Sequence, residues 1–94
     1  MRSESVCLLN EGVQVRSERF GLLFYDYRGP RLYFLPTKDL IKDHFFNGKH
    51  TVSNLIEYIC AKHREWPCLM VKKWLNHALD MLEGKGLIYE QSVC

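Results

Sequence analysis

The chain has 94 residues, 47% of them hydrophobic and 26% charged, with a formal net charge of +2. That length suits a single domain, residues 1–94, burying roughly 60–65% of its unfolded surface, and the charge is too small to call for a polyanionic partner. No stretch approaches the about 18 apolar residues of a membrane span, and the segment after Arg2 and Glu4 lacks a signal-peptide apolar run, so a cytosolic protein with no membrane contact is expected.

Cys7, Cys60, Cys68 and Cys94 fit reduced thiols in that compartment. Cys60, His63 and Cys68 have a loose C-x2-H-x4-C spacing, but no second C-x2-C completes a zinc set. Cys60 reads as a small core residue on a helix. No cofactor or metal is expected.

Residues 1–11 show little periodicity; Val6 to Leu9 form a short extended piece or fray. Val13 to Ser17 alternate as a half-buried strand, Val13 and Val15 on one face, Gln14 and Arg16 on the other. A second strand spans Phe20 to Tyr27. Its Phe20, Leu22 and Phe24 face should pack on helices; Gly21, Leu23, Tyr25 and Tyr27 make the opposite face. That second face is too apolar to be purely wet: it is half covered, meets a partner, or is simply exposed aromatic surface.

The break Arg28-Gly29-Pro30-Arg31 leads to a third strand, Arg31 to Leu35, with Leu32 and Phe34 on one face and Tyr33 and Leu35 on the other. Pro36 ends it, and nothing sequential pairs with its far side. An unpaired edge is either a hazard or a docking site for another chain. We read this one as a site where a peptide adds as a further strand.

Three helices are then expected. Thr37 caps the first, with Asp39 in its first turn and Leu40, Ile41 and Phe45 as its buried stripe, until Asn47-Gly48. Thr51 caps the second, 51–64, whose Val52, Leu55, Ile56 and Ile59 follow helical spacing, with Lys62-His63-Arg64 at its end. The third runs from Pro67 to about Glu83, stopped by Gly84 or Gly86. Its stripe is Val71, Leu75, Ala78 and Leu82, widened by Leu79 on one side and by Met70, Trp74 and Met81 on the other. The arc is wider than a minimal core stripe, so one flank, Lys73, Trp74, His77 and Met81, is free to line a groove. Leu87 to Tyr89 form an extended tail packed back on the domain. The expected class is α+β: a three-stranded antiparallel sheet followed by three helices, a winged helix-turn-helix-like order.

Catalytic constellations are missing. No phosphate-binding glycine loop or nucleophile elbow occurs, and His44, His50, His63 and His77 lack partners that spacing would guarantee. Asp26 beside the turn suits local hydrogen bonding better than acid–base chemistry with Glu18. The pattern is that of a binding module, not an enzyme.

Gly12-Val13, Arg16, Glu18, Phe20-Gly21, Leu23, Tyr25-Asp26, Arg31-Leu32 and Phe34, followed by helices ending in Leu82 and Gly86-Leu87-Ile88, carry a resemblance. Residues 12–90 resemble the mycofactocin peptide-chaperone (MftB) family, which is similar to the PqqD-like recognition elements for ribosomally made, modified peptides. The sheet half carries the specific matches; the helical half matches mainly in pattern. The resemblance implies a non-catalytic chaperone that binds the leader of a short ribosomal precursor peptide (MftA-like). It would present that leader to a radical S-adenosylmethionine maturase (MftC-like), which decarboxylates and crosslinks the precursor's Val-Tyr end. By that resemblance the leader adds along Arg31, Leu32, Tyr33, Phe34 and Leu35 and lies against the third helix, where the arc favours Lys73, Trp74, His77 and Met81. Leu23, Tyr25 and Tyr27 are the face assigned to the maturase.

The alternative is a winged-helix DNA-binding protein with 67–83 as recognition helix. Lys72 and Lys73 are offset there by Asp80 and Glu83, which argues against phosphate contacts and for no nucleic-acid partner. A homodimer pairing through the same edge strand is compatible with the peptide reading.

Overall fold

The computed structural model describes residues 4–29 and 31–92; the expectations placed on Arg2, Pro30 and Cys94 fall outside them. The elements are β1 (Ser5–Leu9), β2 (Val13–Glu18), β3 (Gly21–Asp26), β4 (Arg31–Leu35), a 3-10 turn (Asp43–Phe46), α1 (Val52–Lys62), α2 (Cys68–Gly84) and β5 (Ile88–Ser92). They make two antiparallel sheets, β1–β5 and β2–β3–β4. The α+β class stands, but the expected three strands followed by three helices do not: five strands in two sheets and two α-helices form instead.

The first expected helix, from Thr37 to Gly48, does not form. Thr37 is buried rather than capping, and Lys38 takes φ 52°, a left-handed conformation that ends any helical start. The Lys38 amide donates to the Phe20 carbonyl at 2.8 Å, which ties the segment to the sheet. Farther on, the adjacent Phe45 and Phe46 are both buried, and Phe46 packs edge-on to Phe24 with ring centroids 5.5 Å apart.

The N-terminal run is a strand because the C-terminal tail pairs with it, from Ser5 opposite Ser92 to Leu9 opposite Ile88. Ser5, Val6 and Cys7 are all buried, so the strand lacks the one-sided alternation that would reveal it. Burial, reinforced by the Glu90 carboxylate, pushes the Cys7 thiol up to about 12 and keeps it neutral.

The second sheet follows the alternation of its sequence. Leu22 and Phe24 are buried and stand opposite Leu35 and Tyr33 of β4. Phe20, expected on the packed face, lies one residue before β3 and is exposed. Gly21 permits the sheet to close: a Cβ there would sit 2.1 Å from the Leu35 carbonyl oxygen. Asp26 is buried at the end of β3. Its carboxylate accepts hydrogen bonds from the Arg28 amide at 3.1 Å, from Arg28 Nε at 3.0 Å, and from the Arg31 guanidinium. Those hydrogen bonds, from Arg28 first and Arg31 second, hold the carboxyl well below the usual carboxylate range.

Helix α1 starts with a reciprocal capping box. The Asn54 amide donates to Thr51 Oγ1 at 3.1 Å, and the Thr51 amide to Asn54 Oδ1 at 3.0 Å. Pro67 stands one residue before α2 rather than inside it. The end of α2 is a Schellman turn on Gly86 at φ 75°, with Leu87 N donating to Leu82 O at 3.1 Å and Gly86 N to Glu83 O at 2.9 Å. Val71, Leu75, Ala78, Leu79 and Leu82 of α2 and Val52, Leu55 and Ile59 of α1 pack with β3 and the two Phe rings as one core.

The cysteine expectation is corrected. Cys60, in the last turn of α1, and Cys68, at the first position of α2, form a disulfide with Cα atoms 5.6 Å apart. Eight residues of separation gave no sign of it, because the tight α1–α2 turn alone brings the two helix ends together. Cys60 is therefore half of a crosslink rather than a core thiol. Among the described residues no group of three His, Cys, Asp or Glu could hold a metal ion. No helix among the described residues is long and apolar enough to cross a membrane.

Candidate functional site

Strand β4 hydrogen-bonds only to β3, so among the described residues its other edge is open. In an antiparallel pair each strand turns alternate residues' N–H and C=O groups away from the partner. A five-residue strand therefore offers an open ladder about 16 Å long.

Helix α2 meets β4 through the inward-facing Tyr33. At mid-length the Tyr33 hydroxyl lies 3.4 Å from Met81 Sδ, and Lys85 Nζ sits 4.7 Å from the Tyr33 ring centroid. On either side of this bridge the two elements part. Beyond the Pro36 end a cavity of about 390 Å³ opens, floored by Ile59 and Val71 and walled by Pro36, Leu40, Trp66, Met70 and Trp74. At the Arg31 end a smaller one of about 140 Å³ is lined by Arg31, Leu32, Tyr33, Lys85 and Leu87. The two cavities lie at opposite ends of β4, separated by the Tyr33–Met81 contact, and we refer to them with that contact as the groove.

Local chemistry holds its walls in place. At the Arg31 end Arg28 Nη2 donates to the Gly86 carbonyl at 2.7 Å, and Asn10 Nδ2 reaches the same oxygen at 2.7 Å, so the hairpin turn is clamped to the end of α2. At the other end Lys62 Nζ meets Asp39 Oδ2 at 3.2 Å, tying the segment after β4 to α1. Trp66 is fixed by stacking on His63, ring centroids 4.2 Å apart. Thr37 Oγ1, on the wall of the larger cavity, is buried with no hydrogen-bond partner among the described residues.

The electrostatics run one way. Lys38 stands on the larger cavity, Arg31 and Lys85 on the smaller, and no described residue lining either is a carboxylate. Apolar walls with cationic rims suit an extended peptide carrying bulky apolar and acidic side chains.

The expected site residues divide accordingly. Tyr33 faces the groove, Leu35 is buried in the core, and Arg31 lines the smaller cavity while pairing with Asp26. Leu32 and Phe34 are exposed; by the strand's alternation they share the outer sheet face with Leu23, Tyr25 and Tyr27. Trp74 and Met81 are brought to the groove, whereas Lys73 and His77 are exposed on α2 and line neither cavity. Sequence reasoning missed Pro36, Lys38, Leu40, Trp66 and Lys85 and left Met70 out of the site. Met70 and Trp66 had a legible signal: they lie four and eight residues before Trp74, on the same helical face or its continuation.

The outer face is a separate feature. Tyr25 and Tyr27 stack with centroids 6.2 Å apart, and the Arg16 guanidinium lies 5.6 Å from the Tyr25 centroid. Leu23 and Tyr25 are half-buried, whereas Tyr27 is 64% exposed and Leu32 66%. The sheet thus presents its groove edge and its aromatic face in different directions.

No curated protein and no solved structure matches the chain. The family model described as the peptide chaperone MftB family matches residues 8–89 of the 94. That span begins within β1 and ends within β5, taking in β2, β3, β4, both α-helices and the residues that line both cavities. The chain therefore belongs to the MftB peptide chaperone family.

Proposed function

We propose that this chain is a non-catalytic chaperone for the leader of the mycofactocin precursor peptide, which it holds in the groove between β4 and α2. The observation that carries the reading is the open β4 edge with a cavity at each end, the larger walled in part by Met70 and Trp74 of α2 and each carrying at least one cation. The leader adds as a strand to β4: backbone hydrogen bonds supply sequence-independent affinity, and alternate side chains enter the cavities. A bulky apolar side chain fills the space between Trp66, Met70 and Trp74, while carboxylates meet Lys38, Arg31 or Lys85. Ordering a flexible leader costs about 1–2 kcal/mol per residue in backbone entropy, so buried apolar anchors contribute more than rim charges.

The complex then goes to a radical S-adenosylmethionine maturase, which docks on the outer sheet face of Leu23, Tyr25 and Tyr27. That face leaves the groove open, so peptide and enzyme bind together. The test is an NMR titration of the labelled protein with the synthetic leader of the short precursor encoded beside it. Shifts are expected at 31–35 and along 66–85, with a second set at 23–27 once the maturase is added. A spectrum unmoved at saturating peptide refutes the proposal.

A further inference from the structure

Resting on the peptide-binding reading of the groove, we infer that Cys60 and Cys68 are a reversible redox clasp that sets how tightly its apolar end holds a peptide. The bridge closes the turn that carries Trp66 and Pro67, both on the wall of the larger cavity, and Ile59 on that cavity's floor precedes Cys60 directly. Beyond the bridge the turn is held by local contacts, the Trp66–His63 stack and a few hydrogen bonds. His63 N donates to Ile59 O at 2.9 Å and Trp66 N to His63 O at 3.1 Å, and the exposed Glu65 carboxylate meets His63 Nδ1 at 3.1 Å. His63 Nε2 is buried without a hydrogen-bond partner among the described residues, so the turn keeps an unsatisfied group in its closed form. Opening the bridge frees the turn to hydrate that nitrogen, and Trp66, stacked on the same ring, moves with it. Residues 64–70 are exposed, Cys68 among them, so a small thiol or disulfide reaches the pair.

The chemistry balances with the glutathione couple. A Cys60 or Cys68 thiolate attacks glutathione disulfide, giving a mixed disulfide and one glutathione thiolate. The second cysteine sulfur displaces the other glutathione. Two electrons pass from protein sulfur to glutathione, and the two thiol protons end on the released glutathiones. Oxidised, the apolar wall is preformed; reduced, Trp66 must be ordered again each time a peptide binds. Fixing one large side chain and its turn changes affinity roughly three- to tenfold.

The experiment holds the full chain in oxidising or reducing glutathione buffer, reads the bridge by intact mass, and titrates the synthetic leader by calorimetry. The expected result is three- to tenfold tighter binding in the oxidised state, with the Trp66 indole N–H signal broadening on reduction. A Cys60→Ser/Cys68→Ser double variant should bind like reduced protein in both buffers. Equal affinity in both states, or no bridge in oxidising buffer, overturns the clasp and leaves the peptide site standing. Binding in neither state overturns the peptide reading and the clasp's role with it.

Discussion

Met70→Ala tests the apolar end of the groove with little collateral damage. Met70 is 65% exposed in the free protein, so most of its contact surface awaits a partner. Fully burying a Met side chain is worth about 1.5–3 kcal/mol, and 65% of that leaves about 1–2 kcal/mol for the peptide. The remaining third, about 0.5–1 kcal/mol, is the expected loss of fold stability. Dissociation constants should therefore rise roughly five- to thirtyfold, while the urea midpoint moves only slightly. The assay is calorimetric titration with the leader, with Glu57→Ala, an exposed change on α1, as control. An unchanged dissociation constant, in a variant whose shifts at 31–35 persist, would show that the large cavity holds no anchor. The leader would then be held by the β4 edge alone.

The remaining predictions use the rim, the hairpin and its carboxylate. Lys85→Glu removes the cation over Tyr33 and should weaken binding of an acidic leader; a leader with Lys in place of its acidic residue should recover affinity for that variant, measured by titration at low salt. Gly21→Ala drives a Cβ into the Leu35 carbonyl and should cost roughly 1–3 kcal/mol in urea unfolding, with the β4 edge displaced and peptide affinity lost in parallel. Asp26 is held below its ordinary pKa when folded, so between that depressed value and about 4 the unfolded chain binds the extra proton. Its stabilisation is thus complete above about pH 4 and lost as pH falls. Asp26→Asn should unfold more easily than the parent at pH 7, and the gap should narrow toward pH 3; a gap independent of pH refutes the assignment.

The groove was partly legible. Trp74 and Met81 stand out because the apolar arc of 67–83 is wider than a core requires; Met81 meets Tyr33 of β4, and Trp74 lines the cavity beyond the strand's Pro36 end. Lys73 and His77 shared that arc, but whether a polar side chain reaches a cavity depends on where the opposite wall stands, and here the wall follows Trp74 and Met81. Lys38 and Leu40 were hidden by the expectation of a helix over 37–48. Local propensity allowed that helix, but the pull of Phe45, Phe46 and Lys38 toward the sheet prevented it. The strand at 5–9 was hidden because a segment covered on both sides has no polar face to mark its period.

The β2–β3–β4 meander, the capped helix from Thr51, the buried stripe of α2 and a glycine stop at Gly84 or Gly86 are readable from the chain alone, because each depends on neighbours within a few residues: alternation, capping, helical spacing and a glycine past the helix end. The pairing of β1 with β5, the unwinding of 37–48 and the joining of Cys60 to Cys68 came only with the folded chain. Those are meetings of residues distant in the chain or turned by a bend, and they follow from how the layers pack around one core rather than from any local preference.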